Sequence, residues 1–189
     1  MGIRLSILSI WKIFDPIYFL FTRLQYIEFE GNKKAIFRVR LTKYKGKDVV
    51  LLDGTMICKN DVLIKIHLHN VQLLSEFLRM ENHVNRARCI YKTVLNSMPL
   101  LAEYIHKHPD KQKIKGIIGI TILNKGVRQL GFECFSPQNS FYKMYKKTSL
   151  LPIFFLSTPS FGIRNVKKHH LVYLMMSKDK LLRKYRKAT

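Results

Sequence analysis

Acidic side chains are scarce in this chain: 12 Asp and Glu stand against 34 Lys and Arg, a formal charge of +22 over 189 residues. Such a field attracts polyanions, whether nucleic acid, anionic lipid head groups or anionic wall polymers, and does not by itself choose among them. Cysteine is scarce too. Cys58, Cys89 and Cys134 form no Cys-x-x-Cys pair and no even set, which excludes a zinc ribbon and a disulfide framework and leaves three small hydrophobes of a reducing compartment. Long apolar runs are also missing. Between residues 3 and 24 the longest uncharged stretches, 5–11 and 16–22, have seven residues each, against the roughly 20 needed to cross a bilayer. A small-residue cleavage site is lacking there, so no secretory signal is expected and the protein is placed in the cytoplasm. Several motifs are absent as well: GxxxxGK[ST], GxGxxG, the Gly-x-Ser-x-Gly elbow, a helix-turn-helix signature, zinc-finger spacing and an RNP-type block. The common phosphate loops, the α/β-hydrolase nucleophile and a specific nucleic-acid motif are thereby set aside.

What is present is enough apolar material for one core. Hydrophobic residues make up 47% of the chain, which excludes disorder as the default, and the length suits a single domain. Residues 3, 7, 10, 14, 17, 21 and 24 are Ile, Ile, Ile, Phe, Ile, Phe and Leu, a 3–4 alternation along one helical face. Asp15-Pro16 fits the start of a second helix, with Asp15 as N-cap and Pro16 at its first position. Residues 1–27 therefore read as an amphipathic helical segment and 28–189 as one domain. The apolar face of that segment packs on the protein's own core or lies in a membrane interface. Its charges are balanced, three basic against three acidic over residues 1–30.

From residue 33 the period becomes two, and strands are expected over 33–42, 49–52, 55–58 and 62–69 as a meander. Apolar stripes then predict helices over 71–107, with Pro99 producing a kink or a restart capped near Ser97. Strands are expected again over 116–123 and 130–135, their short link arguing for antiparallel pairing. A short helix over 139–147, a strand over 152–156, a loop over 157–168 and a last strand over 171–176 follow, with Ser177 capping a basic C-terminal helix. The fold class is α+β, a mainly antiparallel sheet with helices packed on one face and an amphipathic N-terminal helical segment beside it.

One constellation resembles a site. His67 and His69 stand two apart on a strand, so both project with Lys65 from the same face, and Asn70 follows. Two imidazoles on one face are half of a metal site, for which Asp53, Asp61, His169 or His170 would have to supply a third ligand. Equally, one imidazole is a general acid or base and Asn70 orients it or stabilises an oxyanion. The bland alternative is a structural corner in which Asn70 caps the helix starting at Val71. His67, His69 and Asn70 are the catalytic candidates; no metal is assigned and no cofactor is indicated. The basic run 33–47 holds seven Lys and Arg without an acid. Arg38, Arg40, Lys43 and Lys45, with Lys65, are therefore the candidate contacts to an anionic surface.

The segments Asp15-Pro16-Ile17-Tyr18-Phe19, Tyr44-Lys45-Gly46, Leu52-Asp53-Gly54, Asn60-Asp61, His67-Leu68-His69-Asn70, Gly116-Ile117-Ile118-Gly119-Ile120-Thr121 and Leu130-Gly131-Phe132-Glu133 together resemble the YkoP-like domain. That family occurs as stand-alone bacterial proteins and joined to polysaccharide deacetylase domains. The resemblance covers nearly the whole chain and implies the setting of the bacterial cell envelope. It brings no catalytic residues with it, since the family has no established activity. Two expectations of function stand together. One is a non-catalytic basic module, an accessory of envelope polysaccharide metabolism or peripheral to the inner face of the membrane and bound to its anionic surface or another polyanion. The other is a small enzyme using the His-x-His-Asn block.

Overall fold

The computed structural model describes residues 9, 13, 15–16, 19–28, 34–68, 83–121, 126–137, 144 and 171–186. Strands β1 (Gln25–Glu28), β2 (Lys34–Lys43), β3 (Val49–Val50), β4 (Met56–Ile57) and β5 (Val62–Leu68) come first. Helix α1 (His83–Lys107), strands β6 (Ile114–Thr121), β7 (Glu133–Phe135) and β8 (Val172–Ser177), and helix α2 (Lys178–Tyr185) follow. Among the described residues six strands form one sheet in the order β1-β2-β5-β6-β8-β7. Every neighbouring pair is antiparallel except β5–β6. A parallel pair needs a long crossover, and α1 lies within that connection. The α+β class and the mainly antiparallel sheet expected from the sequence are thus present.

Alternation builds the core. Phe37 and Val39 of β2, Ile64 and Ile66 of β5, and Leu174 and Met176 of β8 are buried. They meet Val94, Met98, Leu101, Ala102 and Ile105 of α1 and Leu181 of α2 in one cluster. Burying each of the larger side chains contributes about 1.5–3 kcal/mol. The opposite sheet face carries a smaller core of Leu63, Ile118 and Met175, closed by Tyr44, Leu51 and Ile57.

That second core corrects the meander. Among the described residues β3 and β4 pair only with each other, as a separate two-stranded ribbon. β2 pairs directly with β5, Lys43 opposite Val62 and Phe37 opposite Leu68. The excursion between them is pinched at its base, where Tyr44 N–H donates to the Asp61 carbonyl and Asn60 N–H to the Tyr44 carbonyl, both at 2.8 Å. The ribbon folds back over the sheet and Ile57 becomes fully buried. At its tip, Gly54 takes φ +83° in the Asp53-Gly54 turn, a conformation open to glycine at little cost.

Two other expectations change. α1 runs through Pro99 without a restart. Ser97 caps nothing: its hydroxyl donates to the Thr93 carbonyl at 3.0 Å and accepts from Ile36 N–H at 3.2 Å, tying the helix to β2. β6 and β7 are not neighbours either, because β8 inserts between them and pairs with both. The expected cap at Ser177 is present; its side chain accepts from Lys180 N–H and opens α2. The expected strand over 152–156, the loop over 157–168 and the helix over 71–78 lie outside the described residues, as does the helix over 139–147 apart from Met144, which is helical.

Candidate functional site

The N-terminal segment is helical at residues 15–16 and 19–22. Asp15, Phe19 and Thr22, spaced i, i+4, i+7, share one side of a helix, and that side meets the sheet. Asp15 accepts both arms of the Arg38 guanidinium, at 2.8 and 2.5 Å. Arg38 also donates to the Tyr26 hydroxyl at 2.6 Å, and its Cζ lies 5.0 Å from the Phe19 and Tyr26 ring centres. Thr22 offers its carbonyl to Arg40 Nη1 at 3.1 Å. Burial works against the Arg38 charge, but the bonds and charges of Asp15 and Tyr26 together outweigh it and raise the pKa further. The other side of the segment faces water: Ile13 is 69% exposed, Leu20 76% and Phe21 81%.

Arg38 is therefore not a surface contact, as the sequence reading had it. It is 4% exposed and its charge is met by Asp15; the carboxylate assigned to a helix cap serves as a counter-ion instead. Lys43 and Lys45 are exposed and Lys65 is half-buried. Pairing register brings Arg38 opposite His67 and Arg40 opposite Lys65, so these four share one patch of the sheet.

His67 does not approach Asp53 or Asp61. Asp61 lies just before β5 and His67 six residues along it, about 20 Å at roughly 3.3 Å per residue. Asp61 accepts from Cys58 N–H at 2.7 Å and pairs with Lys115 at 2.9 Å. A bulge in β6 at that point, where Ile114 pairs with Val62 and Gly116 with Leu63, leaves Lys115 between them and turns its side chain to that carboxylate. Asp53 accepts from the Ser177 hydroxyl and from Thr55 N–H. Among the described residues no group of three His, Cys, Asp or Glu is placed to hold a metal ion. His69, Asn70, His169 and His170 lie outside the described residues.

A groove of about 370 Å³ was not foreseen in the sequence. It is lined by Arg23, Gln25, Arg40, Leu41, Tyr104 and His108, contributed by the turn before β1, by β1 and β2, and by the C-terminal end of α1. The sequence signal was confined to Arg40 in the basic run; the others come from segments as many as 85 positions apart.

No helix among the described residues is long and apolar enough to cross a membrane. A sequence model of the YkoP domain matches residues 4–185. An uncharacterized protein YkoP of Bacillus subtilis strain 168 is 51% identical over 180 residues, which is 95% of this chain and 96% of that relative. No solved structure matches.

Proposed function

The chain belongs to the YkoP domain family, and from that premise we propose that it is a non-catalytic basic module that lies on an anionic membrane surface. One observation carries this reading. The N-terminal helical segment is fastened to the sheet on the Asp15–Phe19–Thr22 side and turns three large apolar side chains, Ile13, Leu20 and Phe21, to water on the other. An apolar helical face on a strongly cationic protein suits the boundary between acyl chains and acidic head groups. The charge of +22 supplies the attraction, at about 1 kcal/mol for each Lys or Arg near such a surface. Insertion of the three side chains adds up to about 1.5–3 kcal/mol each. Together they support reversible peripheral binding. An accessory place in envelope polysaccharide metabolism is compatible with it, because that chemistry also sits at the membrane.

Co-sedimentation tests it. The protein pellets with phosphatidylglycerol-containing vesicles at low salt, less at high salt, and weakly with pure phosphatidylcholine. Leu20→Glu/Phe21→Glu abolishes pelleting while circular dichroism stays unchanged. Equal, negligible pelleting with both vesicle types removes the membrane reading, and tight binding to DNA alone replaces it with the general polyanion one.

A further inference from the structure

We infer that the groove between Arg23, Arg40 and His108 is a binding site for a phosphate ester. Two arginines and a histidine line it, and none of the described lining residues is acidic. Planar guanidinium forks match the oxygens of a phosphate two at a time.

Arg40 is positioned for such a ligand and only partly satisfied. Its Nη1 donates to the Thr22 carbonyl, while its buried Nε meets no hydrogen-bond partner among the described residues. That Nε is closed to solvent, so a ligand in the groove meets the outer N–H groups of the fork instead. His108 lines the same groove. Its Nδ1 accepts from Asp110 N–H at 3.0 Å, so the neutral ring carries its proton on Nε2 and keeps a donor there.

Arg23 adds a second, independent sign. It follows the helical turn 19–22 and takes φ +50°, in the left-handed region. Glycine or asparagine fits that position after a helix with less strain. Here a long cationic side chain occupies it and lines the groove. Strained residues of this kind gather at ligand sites.

The remaining walls select more than a bare ion. Leu41 and the Tyr104 ring are apolar, with Tyr104 edge-on to His108 at 5.5 Å between ring centres. Tyr104 also donates to Gln25 Oε1 at 3.3 Å. A volume of about 370 Å³ accepts a phosphate together with a small alcohol such as glycerol. Phosphate bound to glycerol comes from two sources, a phospholipid head group or a soluble glycerol phosphate. The lipid source rests on the membrane reading above, since exposed Leu20 and Phe21 lie three and two residues before Arg23; the phosphate chemistry does not.

Isothermal titration of the full chain with glycerol 3-phosphate, and sedimentation with phosphatidylglycerol vesicles, separate these. Arg23→Gly and Arg40→Gln are the test variants, and Lys59→Gln removes the same charge from an exposed site elsewhere. We expect glycerol 3-phosphate to bind the wild type and Lys59→Gln alike. Arg23→Gly weakens binding about tenfold or more while its melting temperature holds or rises, because the backbone is relieved. Leu20→Glu/Phe21→Glu still binds the soluble ester. If the soluble ester binds but vesicles do not pellet the protein, the site stands and the membrane reading falls. If only vesicles respond, and Arg23→Gly loses more than Lys59→Gln, the site stands with the lipid as its source. No heat with glycerol 3-phosphate, together with vesicle pelleting in which Arg23→Gly and Arg40→Gln match Lys59→Gln, overturns the site and leaves the membrane reading intact. No heat and no pelleting of the wild type overturns both.

Discussion

The Asp53 carboxylate accepts a hydrogen bond from the Ser177 hydroxyl, across 124 positions of sequence. The same hydroxyl accepts from Lys180 N–H at 3.0 Å as the N-cap of α2. Lys180 reaches Glu133 at 3.1 Å, and Glu133 in turn accepts from Leu52 N–H at 3.0 Å. The ribbon tip, the helix start and β7 are thus joined in one ring of polar contacts.

Ser177→Ala removes the cap and one link of the ring, and is expected to destabilise the protein by about 1–2 kcal/mol. Asp53→Ala loses the same link, so the double variant falls short of the sum of the two singles. Urea unfolding of the three variants gives the coupling directly; strict additivity shows that the two side chains act separately.

The ring also sets an acid limit. Burial pushes the Asp53 carboxyl up, but the bonds from Ser177 and Thr55 and the charge of Lys180 outweigh it and hold the pKa below the usual carboxylate range. Asp61 is lowered likewise, burial again opposing, by Cys58 N–H and Lys115. A depressed folded pKa contributes stability that is complete above the unfolded value, near 3.9, and lost as pH falls through the folded one. Melting temperature therefore drops between about pH 5 and pH 2, and Asp53→Asn flattens that slope. An unchanged slope in the variant counts against the assignment.

Removing one partner of the Asp15–Arg38 pair costs more than replacing both. Asp15→Ala leaves a 4% exposed guanidinium without its counter-ion, at about 3–5 kcal/mol. Limited proteolysis of that variant should cut first near residues 19–22, whose hold on the sheet is reduced to the Thr22–Arg40 bond and the Phe19–Arg38 contact. Arg38→Met with Asp15→Leu recovers most of the loss, because an apolar pair of similar volume needs no desolvated charges. A single Asp15→Ala variant as stable as wild type refutes the role given to the pair.

Gly116 tolerates no side chain. A Cβ there stands 2.5 Å from the Met176 carbonyl oxygen, an atom of the paired strand. Gly116→Ala is expected to destabilise by about 1–3 kcal/mol, read by thermal unfolding, with no change in glycerol phosphate binding. The glycines of the Gly116–Thr121 segment thus belong to strand packing rather than to a phosphate loop.

Local features were legible and distant ones were not. Phe37 and Val39, and Ile64 and Ile66, declared their strands by alternation alone, and Ser177 declared its helix by a side chain three residues from its target. The separate ribbon was hidden because its cause, Tyr44 closing on Asp61 and Asn60, is a contact between strand ends that any hairpin sequence could share. Arg38 read as surface charge because its counter-ion comes from 23 positions upstream. The groove was illegible for the same reason, its walls meeting only once α1 has packed beside β1 and β2. The uninterrupted helix at Pro99 went against local preference because Ser97 and the buried face around it hold the turn to β2.

The insertion of β8 between β6 and β7 has a consequence for synthesis on the ribosome. Both earlier strands are made with their shared neighbour still untranslated; β7 waits from Phe135 onward, and β6 presents an open edge while the chain grows from Thr121 to Ser177. At about 5–20 residues per second that interval is roughly 3–11 s. Through it, the unpaired N–H and C=O groups beside the apolar side chains of Ile117, Ile118 and Ile120 are available to any other strand. This sheet closes late, and its edge has to be shielded until β8 arrives.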